Sequence, residues 1–163
     1  MIYVTLGTQA CDFSRCLRMI EELVNTCNIT ERIIAQTGYT KYTSKYMECF
    51  DFVPEDKYQE YIESADVVIS HAGTGALFST IKKGKKVIAV ARLSSYGEMI
   101  NDHQTEIVRK LSEEGYILDG TYSLVDAWEQ LPSFNPRPDD FTCELPNKIV
   151  NLLTNWGITK KQE

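Results

Sequence analysis

Short runs of apolar residues recur along the chain, and several of them end at glycine or proline. Continuous apolar runs are typical of strands buried on both faces of a parallel sheet, whereas a half-buried strand alternates apolar and polar residues. Gly7 follows the first run and Pro54 follows the third. The pattern predicts strands at residues 2–6, 32–36, 47–53, 66–70, 86–91 and 116–118.

Between these runs, apolar residues recur every three or four positions, which is the period of an amphipathic helix. The first such stretch places Phe13, Leu17, Ile20 and Val24 on one face. The spacing predicts helices at residues 13–27, 55–64, 77–83, 103–114, 124–131 and 147–156.

Because strands and helices alternate, the chain is predicted to form an α/β fold, a Rossmann-like open parallel sheet with helices on both faces. Such sheets bind ligands at the carboxyl ends of the strands, near the point where the strand order reverses. The length of 163 residues suits one domain. We predict a single domain over residues 1–163, with a core at 1–120 and a C-terminal helical extension at 121–163.

Composition and charge narrow the class of protein. The formal net charge of −6 argues against a general nucleic-acid-binding protein, because such proteins carry a basic balance or a basic stripe. No stretch approaches the ~20 apolar residues of a membrane-spanning helix, and the first residues lack the features of a signal peptide. The five cysteines show no C-x2-C spacing, which favours reduced thiols. These features predict a cytoplasmic protein.

The most informative segment follows the fourth predicted strand, where the apolar run meets His71-Ala72-Gly73-Thr74-Gly75. A glycine turn between a strand and a helix exposes backbone N–H groups at the positive end of the helix dipole, which suits phosphate. Gly73, Thr74 and Gly75 are therefore candidates for binding a diphosphate. His71 is a candidate for a bond to a phosphate oxygen, for stabilising a departing nucleotide as a cation, or for a general base. A buried structural histidine is the alternative.

Three loops after other predicted strands add weaker candidates. In Gly7-Thr8-Gln9, glycine permits close backbone approach and the side chains supply hydrogen bonds to phosphate or sugar oxygens. This loop reads GTQACD, which fits neither the G-x-G-x-x-G dinucleotide fingerprint nor a P-loop. Thr37-Gly38 and Phe52-Val53 follow the second and third strands, and the backbone of the latter suits a nucleobase edge. Ordinary turns are the alternative for all three loops.

Four polar residues, Asn101-Asp102-His103-Gln104, lie between the fifth strand and a strongly predicted helix. A carboxylate and an amide at this point suit the hydroxyl groups of a sugar, and helix capping by Asn101 or Asp102 is the alternative. Arg92 opens the loop that leads to this cluster. We predict that Arg92 either faces phosphate or is solvated at the surface.

In sequence order, GTQ, TG, FVP, HAGTG and NDHQ resemble the carboxyl-terminal, donor-binding half of family 28 glycosyltransferases. The resemblance spans about residues 1–120 and rests mainly on HAGTG followed by NDHQ. The chain is similar in particular to small stand-alone catalytic subunits. Those belong to bacterial exopolysaccharide and capsule galactosyltransferase pairs and to the eukaryotic dolichol-linked UDP-GlcNAc transferase. The resemblance implies the C-terminal half of a GT-B architecture.

The resemblance also implies roles for the candidate residues. The backbone of Phe52 and Val53 would bind the nucleobase, and the glycine turn would bind the donor diphosphate with Gly7 and Thr8 nearby. The family commonly places an acidic residue in the helix after the glycine turn to bind ribose, and its counterpart here is Ser79. Ribose and sugar contacts are expected from the polar candidates Gln9, Thr37, Gly38, Ser79, Asn101, Asp102 and Gln104.

The implied activity is inverting transfer of galactose or N-acetylglucosamine from a UDP-sugar to a lipid-linked saccharide, in polysaccharide or glycan biosynthesis. No Asp-x-Asp cluster is visible, so neither a metal nor another cofactor is expected. Full-length members carry an acceptor-binding domain for which 163 residues leave no room. We therefore expect a membrane-associated, acceptor-binding partner that recruits the chain to the cytoplasmic face of a membrane. The short chain favours a bacterial polysaccharide system.

Two other functions stay open on the sequence. A nucleotide-binding regulatory or enhancer subunit of a glycosyltransferase complex would share the same fold and nucleotide site. A sugar-nucleotide epimerase-like protein of the same two-domain architecture would need a second domain. Binding of UDP would distinguish these classes from a protein without a nucleotide site.

Overall fold

A computed structural model of the chain describes residues 1–138, in which strands and helices alternate. The strands are β1 (Ile2–Thr5), β2 (Ile33–Gln36), β3 (Glu48–Phe50), β4 (Val67–His71), β5 (Lys86–Val90) and β6 (Leu118–Asp119). The helices are α1 (Ser14–Cys27), α2 (Glu55–Ser64), α3 (Thr74–Lys82), α4 (His103–Glu113) and α5 (Leu124–Glu129). The helix predicted at 147–156 lies outside the described residues.

The six strands are parallel and lie in the order β3-β2-β1-β4-β5-β6. The chain winds outward from β1 to β3, crosses back through α2, and continues outward from β4 to β6. The strand order therefore reverses between β1 and β4, which is where such sheets bind ligands. This topology confirms the predicted Rossmann-like α/β fold.

Helices cover both faces of the sheet. On one face, α1 and α5 pack against alternate strand residues such as Val4, Ile69 and Ile88. On the opposite face, α2 packs on Tyr3 and Ile34, while α3 and α4 pack on β5. The four central strands are buried along nearly their whole length. Burial on both faces explains why these strands are continuous apolar runs in the sequence.

Three predicted boundaries differ most from the structure. The third strand covers only Glu48–Phe50 instead of residues 47–53, because β3 is an edge strand that pairs with β2 alone. The sixth strand pairs at Leu118–Asp119 instead of 116–118, because Tyr116 and Ile117 are buried in the core beside α4. Helix α3 begins at Thr74 rather than at residue 77, so the glycine turn runs into its first turn.

Within residues 1–138, no helix combines the length and the apolar character needed to cross a bilayer. Cys11, Cys16, Cys27 and Cys49 are all free in this part of the chain. The predicted division into a core at 1–120 and an extension at 121–163 stays a prediction, since most of the extension lies beyond residue 138.

Candidate functional site

A cleft of about 650 Å³ opens at the edge of the sheet where the parallel strands end, which we call the carboxyl edge. Its floor is formed by the ends of β1, β2 and β4, and its two walls are the first turns of α2 and α3. The lining includes nine of the predicted site residues: Gly7, Thr8, Phe52, Val53, His71, Gly73, Thr74, Gly75 and Ser79. The cleft therefore lies at the switch point and brings together loops that are distant in the sequence.

His71 is the last residue of β4, and its ring contacts the end of the neighbouring strand β1. Its Nδ1 lies 3.2 Å from the carbonyl oxygen of Thr5, at the end of β1. Donation from Nδ1 to this carbonyl leaves Nε2 as the unprotonated nitrogen. Burial lowers the pKa of His71 to about 4, with Arg92 adding to the shift and the Thr5 hydrogen bond opposing it. The ring is neutral near pH 7, which disfavours the cationic role considered from the sequence.

Two glycines enclose the imidazole of His71. A Cβ atom added to either Gly7 or Gly73 would lie 2.3 Å from Nε2. Gly7 also has a φ of 71°, a conformation that L side chains rarely adopt. In contrast, a Cβ atom on Gly75 would meet nothing within 4 Å. Gly7 and Gly73 are thus required for packing around the ring, while the space beside Gly75 is open to the cleft.

The start of α3 forms the wall of the cleft above β4. The first intrahelical hydrogen bond runs from the Leu77 N–H to the Gly73 carbonyl at 3.0 Å. The N–H groups of residues 74–76 precede this bond, and no side chain among the described residues caps them. Unpaired N–H groups at the positive end of a helix form an anion site. The structure therefore places the predicted diphosphate residues at a helix N-terminus that faces open space.

No lysine or arginine lines the cleft in the part of the chain that the structure describes. Arg92 is buried instead, and its Nη2 donates to the Leu6 carbonyl at 3.0 Å while its Nη1 donates to the Cys11 carbonyl at 2.9 Å. Its guanidinium carbon lies 4.4 Å from the centre of the Phe13 ring. Both roles predicted for Arg92 are wrong, since it holds the loop after β1 in place and contacts neither cleft nor solvent.

A buried ion pair supports the same loops. Arg15 of α1 donates from Nε and Nη2 to the two carboxylate oxygens of Glu98, each at 2.9 Å. Arg15 also donates to the carbonyls of Ala91 and Thr121, and Glu98 accepts from the Leu93 N–H. This pair ties α1 to the loops after β5 and β6. The sequence contained no signal for it, because Arg15 and Glu98 lie 83 positions apart and no local pattern relates them.

The wall at the other end of the cleft follows β3. Phe52 is half-exposed and stacks edge to face with Tyr39, with ring centres 5.2 Å apart, and Val53 lines the cleft beside it. Thr37 and Gly38 do not line the cleft: their N–H groups donate to the carbonyls of residues 50 and 51, each at 2.9 Å. They join the loops after β2 and β3.

The polar cluster before α4 lies outside the cleft lining. Asp102 accepts hydrogen bonds from the N–H and hydroxyl groups of Ser94, and these bonds lower its pKa. Gln104 accepts from the Arg92 N–H at 3.0 Å, and Asn101 accepts from the His103 N–H. Gln9 is exposed and also outside the lining. In this structure the cluster braces the loop after β5, and its sugar-binding role stays a prediction.

Six lining residues were not predicted from the sequence. Three of them, Glu55, Tyr58 and Gln59, share one face of α2 at a spacing of three and four residues. Thr5 and Gln36 end β1 and β2, and Ala76 lies in the first turn of α3. For Thr5 and Gln36 the sequence did contain a signal. Each is a polar residue at the end of a buried apolar run, and the carboxyl ends of such strands are where ligands bind.

The low pKa of His71 makes the stability of the fold depend on pH. The neutral ring is favoured in the folded state, so the unfolded chain binds a proton that the folded chain does not between pH 6.5 and about 4. The contribution of His71 to the free energy of unfolding should be constant above this window and should fall by roughly 3 kcal/mol as the pH drops through it. Urea denaturation of the wild type and of His71→Asn at several pH values measures this term as their difference. Parallel pH profiles for the two proteins would contradict it.

The sequence profile of the glycosyltransferase family 28 C-terminal domain matches residues 1–137. The chain is 28% identical over 144 residues to the UDP-N-acetylglucosamine transferase subunit ALG13 of Homo sapiens, a match that covers 84% of this chain. The chain spans only 12% of the length of that human protein. Because this relative is eukaryotic, it gives no support to a bacterial exopolysaccharide or capsule system.

Two solved structures share the fold. The solution structure of ALG13 aligns with a TM-score of 0.59 at 19% identity, covering 86% of this chain and 92% of that chain. The MurG structure from Acinetobacter baumannii aligns with a TM-score of 0.54 at 14% identity, covering 80% of this chain and 40% of that chain. Together with the family match, they confirm the predicted fold class, which is the C-terminal half of a GT-B architecture.

Proposed function

The chain belongs to the glycosyltransferase family 28 C-terminal domain family, and from this membership we propose that it is the donor-binding, catalytic subunit of a two-component inverting glycosyltransferase. The observation that carries the proposal is the cleft at the switch point, whose wall is the uncapped start of α3. The proposed donor is UDP-N-acetylglucosamine, by analogy with the name of the human relative. UDP-galactose is the second donor to be tested.

The order of the strands arranges the proposed contacts in a line along the carboxyl edge. Phe52 and Val53 follow β3, the glycine turn follows β4, and Asp102 and Gln104 follow β5. Three strand spacings separate β3 from β4, or about 15 Å, which suits a nucleoside diphosphate in an extended conformation. The base would lie at the β3 end, the diphosphate at β4, and the transferred sugar towards β5.

The proposed mechanism uses neutral groups to stabilise the leaving group. As the bond to the sugar breaks, negative charge grows on the UDP diphosphate, and the N–H groups at the start of α3 would bind that charge. The cleft supplies no cationic side chain within the described residues. No grouping of three or more potential metal ligands occurs among residues 1–138, and we propose that donor binding is independent of a metal.

The acceptor hydroxyl needs a general base, and we propose that a partner supplies it. His71 is poorly suited to this role because its Nδ1 faces the Thr5 carbonyl, its Nε2 lies between two glycines, and its pKa is low. His71 instead links the end of β1 to the glycine turn, through its contact with the Thr5 carbonyl and its packing between Gly7 and Gly73. The catalytic role that we still propose for His71 is a contact with the bound donor, not proton transfer.

The exposed apolar residues support docking of a partner at the carboxyl edge. The large hydrophobic side chains that are exposed within residues 1–138 all lie in loops that follow strands, and we call them the apolar rim: Tyr39, Phe52, Tyr96, Ile100 and Tyr122. Large exposed apolar side chains at one edge of a sheet are candidate contacts for a partner protein. We propose that a membrane-associated, acceptor-binding subunit covers the rim, brings a lipid-linked saccharide, and recruits the chain to the cytoplasmic face of the membrane.

Isothermal titration of the purified chain with UDP, UDP-N-acetylglucosamine, UDP-galactose, ADP and NAD tests the donor site. We expect binding of UDP and one UDP-sugar, unaffected by EDTA, and no binding of NAD. Gly75→Val should weaken UDP binding by roughly tenfold or more without changing the melting temperature, because its side chain enters open space above the helix N-terminus. Absence of UDP binding by the wild type would rule out the transferase. Transfer should require the partner, and a complex that transfers equally well with Gly75→Val would assign this chain a regulatory role.

A further inference from the structure

Glu55 is the only formally charged side chain in the cleft lining among the residues that the structure describes. It lies in the first turn of α2, on the wall opposite the glycine turn. Gln59, one turn later, donates from Nε2 to Glu55 Oε1, and Oε2 accepts no hydrogen bond from residues 1–138. A carboxylate with a free oxygen at the surface of a cleft is an acceptor-only group ready for hydroxyl donors.

The packing of α2 fixes where along the cleft this carboxylate lies. Tyr58, the next lining residue of α2, packs its ring edge to face on Tyr3 of β1, with ring centres 5.9 Å apart, and lines the cleft together with Thr5 at the end of that strand. Glu55 therefore lies above the carboxyl end of β1. This position is between the strand end of β3, where the base is proposed to bind, and the glycine turn after β4.

The chemistry of a nucleotide distinguishes its three parts. The diphosphate is anionic and is suited to the N–H groups of α3, while the base has the backbone of Phe52 and Val53 available. The ribose lies between them and offers two neighbouring hydroxyl donors, which a carboxylate can accept together. Ser79, the other side-chain candidate, donates its own hydroxyl to the Ala76 carbonyl at 3.1 Å and carries no charge.

Resting on the proposed function, we propose that Glu55, held by Gln59, binds the ribose hydroxyls of the donor nucleotide. The ribose carboxylate of this chain thus comes from α2 and not from α3. Glu55 lies on the wall of the cleft opposite the glycine turn, so its charge and the diphosphate would be on opposite sides of the cleft. Glu55 makes the site selective for ribonucleotides over deoxyribonucleotides.

Calorimetric titration of the full chain with UDP, 2′-deoxy-UDP and 3′-deoxy-UDP tests this assignment. We expect the wild type to bind UDP roughly tenfold more tightly than at least one deoxy analogue, since hydrogen bonds to a charged group are among the stronger ones. Glu55→Gln should bind UDP roughly tenfold more weakly and should lose most of this discrimination. Glu55→Asp, with a shorter reach, should retain part of it.

Asp56→Asn is the matched control, because Asp56 is also acidic, also in the first turn of α2, and outside the cleft lining. It removes the same charge from the helix start and should leave both UDP affinity and discrimination unchanged. Discrimination that persists in Glu55→Gln, or a wild type that binds UDP and the two deoxy analogues equally, would overturn the ribose assignment while leaving the transferase intact. A wild type that does not bind UDP would instead overturn the proposed function.

Discussion

Gly7→Ala is expected to lower the free energy of unfolding by about 3–4 kcal/mol and to weaken UDP binding by roughly tenfold or more. The new methyl group would lie 2.3 Å from Nε2 of His71, in a residue whose φ is 71°. The imidazole ring of His71 cannot easily move away, because Gly73 packs against the same Nε2 and the Thr5 carbonyl contacts Nδ1 on the opposite side of the ring. Urea denaturation and calorimetric titration with UDP measure the two effects.

The chain offers a matched control for the backbone part of this effect. Gly97 has a φ of 70°, and a Cβ atom there would meet nothing within 4 Å. Gly97→Ala should therefore cost only about 1–2 kcal/mol, the penalty for an L residue in the left-handed region. In a His71→Ala background, the cost of Gly7→Ala should fall to that of Gly97→Ala. An equal cost of Gly7→Ala in both backgrounds would mean that the imidazole is not what requires a glycine at position 7.

The fold could be predicted from the sequence because its determinants are local. Strands buried on both faces leave continuous apolar runs, and the amphipathic stretches between them can only be crossover helices. The predicted strand boundaries were wrong where tertiary contacts determine which residues pair in the sheet. Tyr116 and Ile117 are apolar because they fill the core beside α4. The apolar run in the sequence therefore begins two residues before β6 itself. The edge strand β3 is shorter than its run because only one neighbour pairs with it.

The candidate site was predictable to a smaller extent. The glycine turn is identifiable because glycines between a strand and a helix have a local geometric cause, and Gly73, Thr74 and Gly75 all line the cleft. Glu55 had no such signal, since a glutamate at the start of an amphipathic helix is typical of a solvated first turn. Asp102 and Gln104 were predicted to bind the sugar, which stays a prediction; in the structure they accept hydrogen bonds from Ser94 and Arg92 of the loop after β5.

Charged residues in the interior were the least predictable, and they decide the geometry of the cleft. Arg92 was expected at phosphate or in solvent, but its guanidinium holds the carbonyl of Leu6, the residue before Gly7. The hydrogen-bond network around Arg92 includes the ion pair between Arg15 and Glu98, which are 83 positions apart in the sequence. No local pattern relates two residues at that separation. The position of the loop after β1 therefore depends on a network that only the folded chain brings together.

Glu98→Ala is expected to lower the free energy of unfolding by about 3–5 kcal/mol, because removal of one partner from a buried ion pair leaves the other charge buried without compensation. Glu98 is 4% exposed and Arg15 is 12% exposed. The substitution also leaves the Leu93 N–H without the acceptor that it has at 2.9 Å. Urea denaturation measures the loss. UDP binding should weaken as well, since the loop that carries Arg92 would no longer hold the loop after β1.

The matched control is Glu48→Ala, which removes a carboxylate from an arginine pair of the same two-bond geometry. Arg32 donates from Nε and Nη2 to the two oxygens of Glu48, each at 2.7 Å, but both side chains are about 60% exposed. Solvent and salt screen such a pair, so this variant should keep the wild-type denaturation midpoint and UDP affinity. Equal losses in the two variants would mean that burial does not determine the strength of the Arg15–Glu98 pair. A loss of stability in Glu98→Ala without any loss of UDP affinity would separate the ion pair from the shape of the cleft.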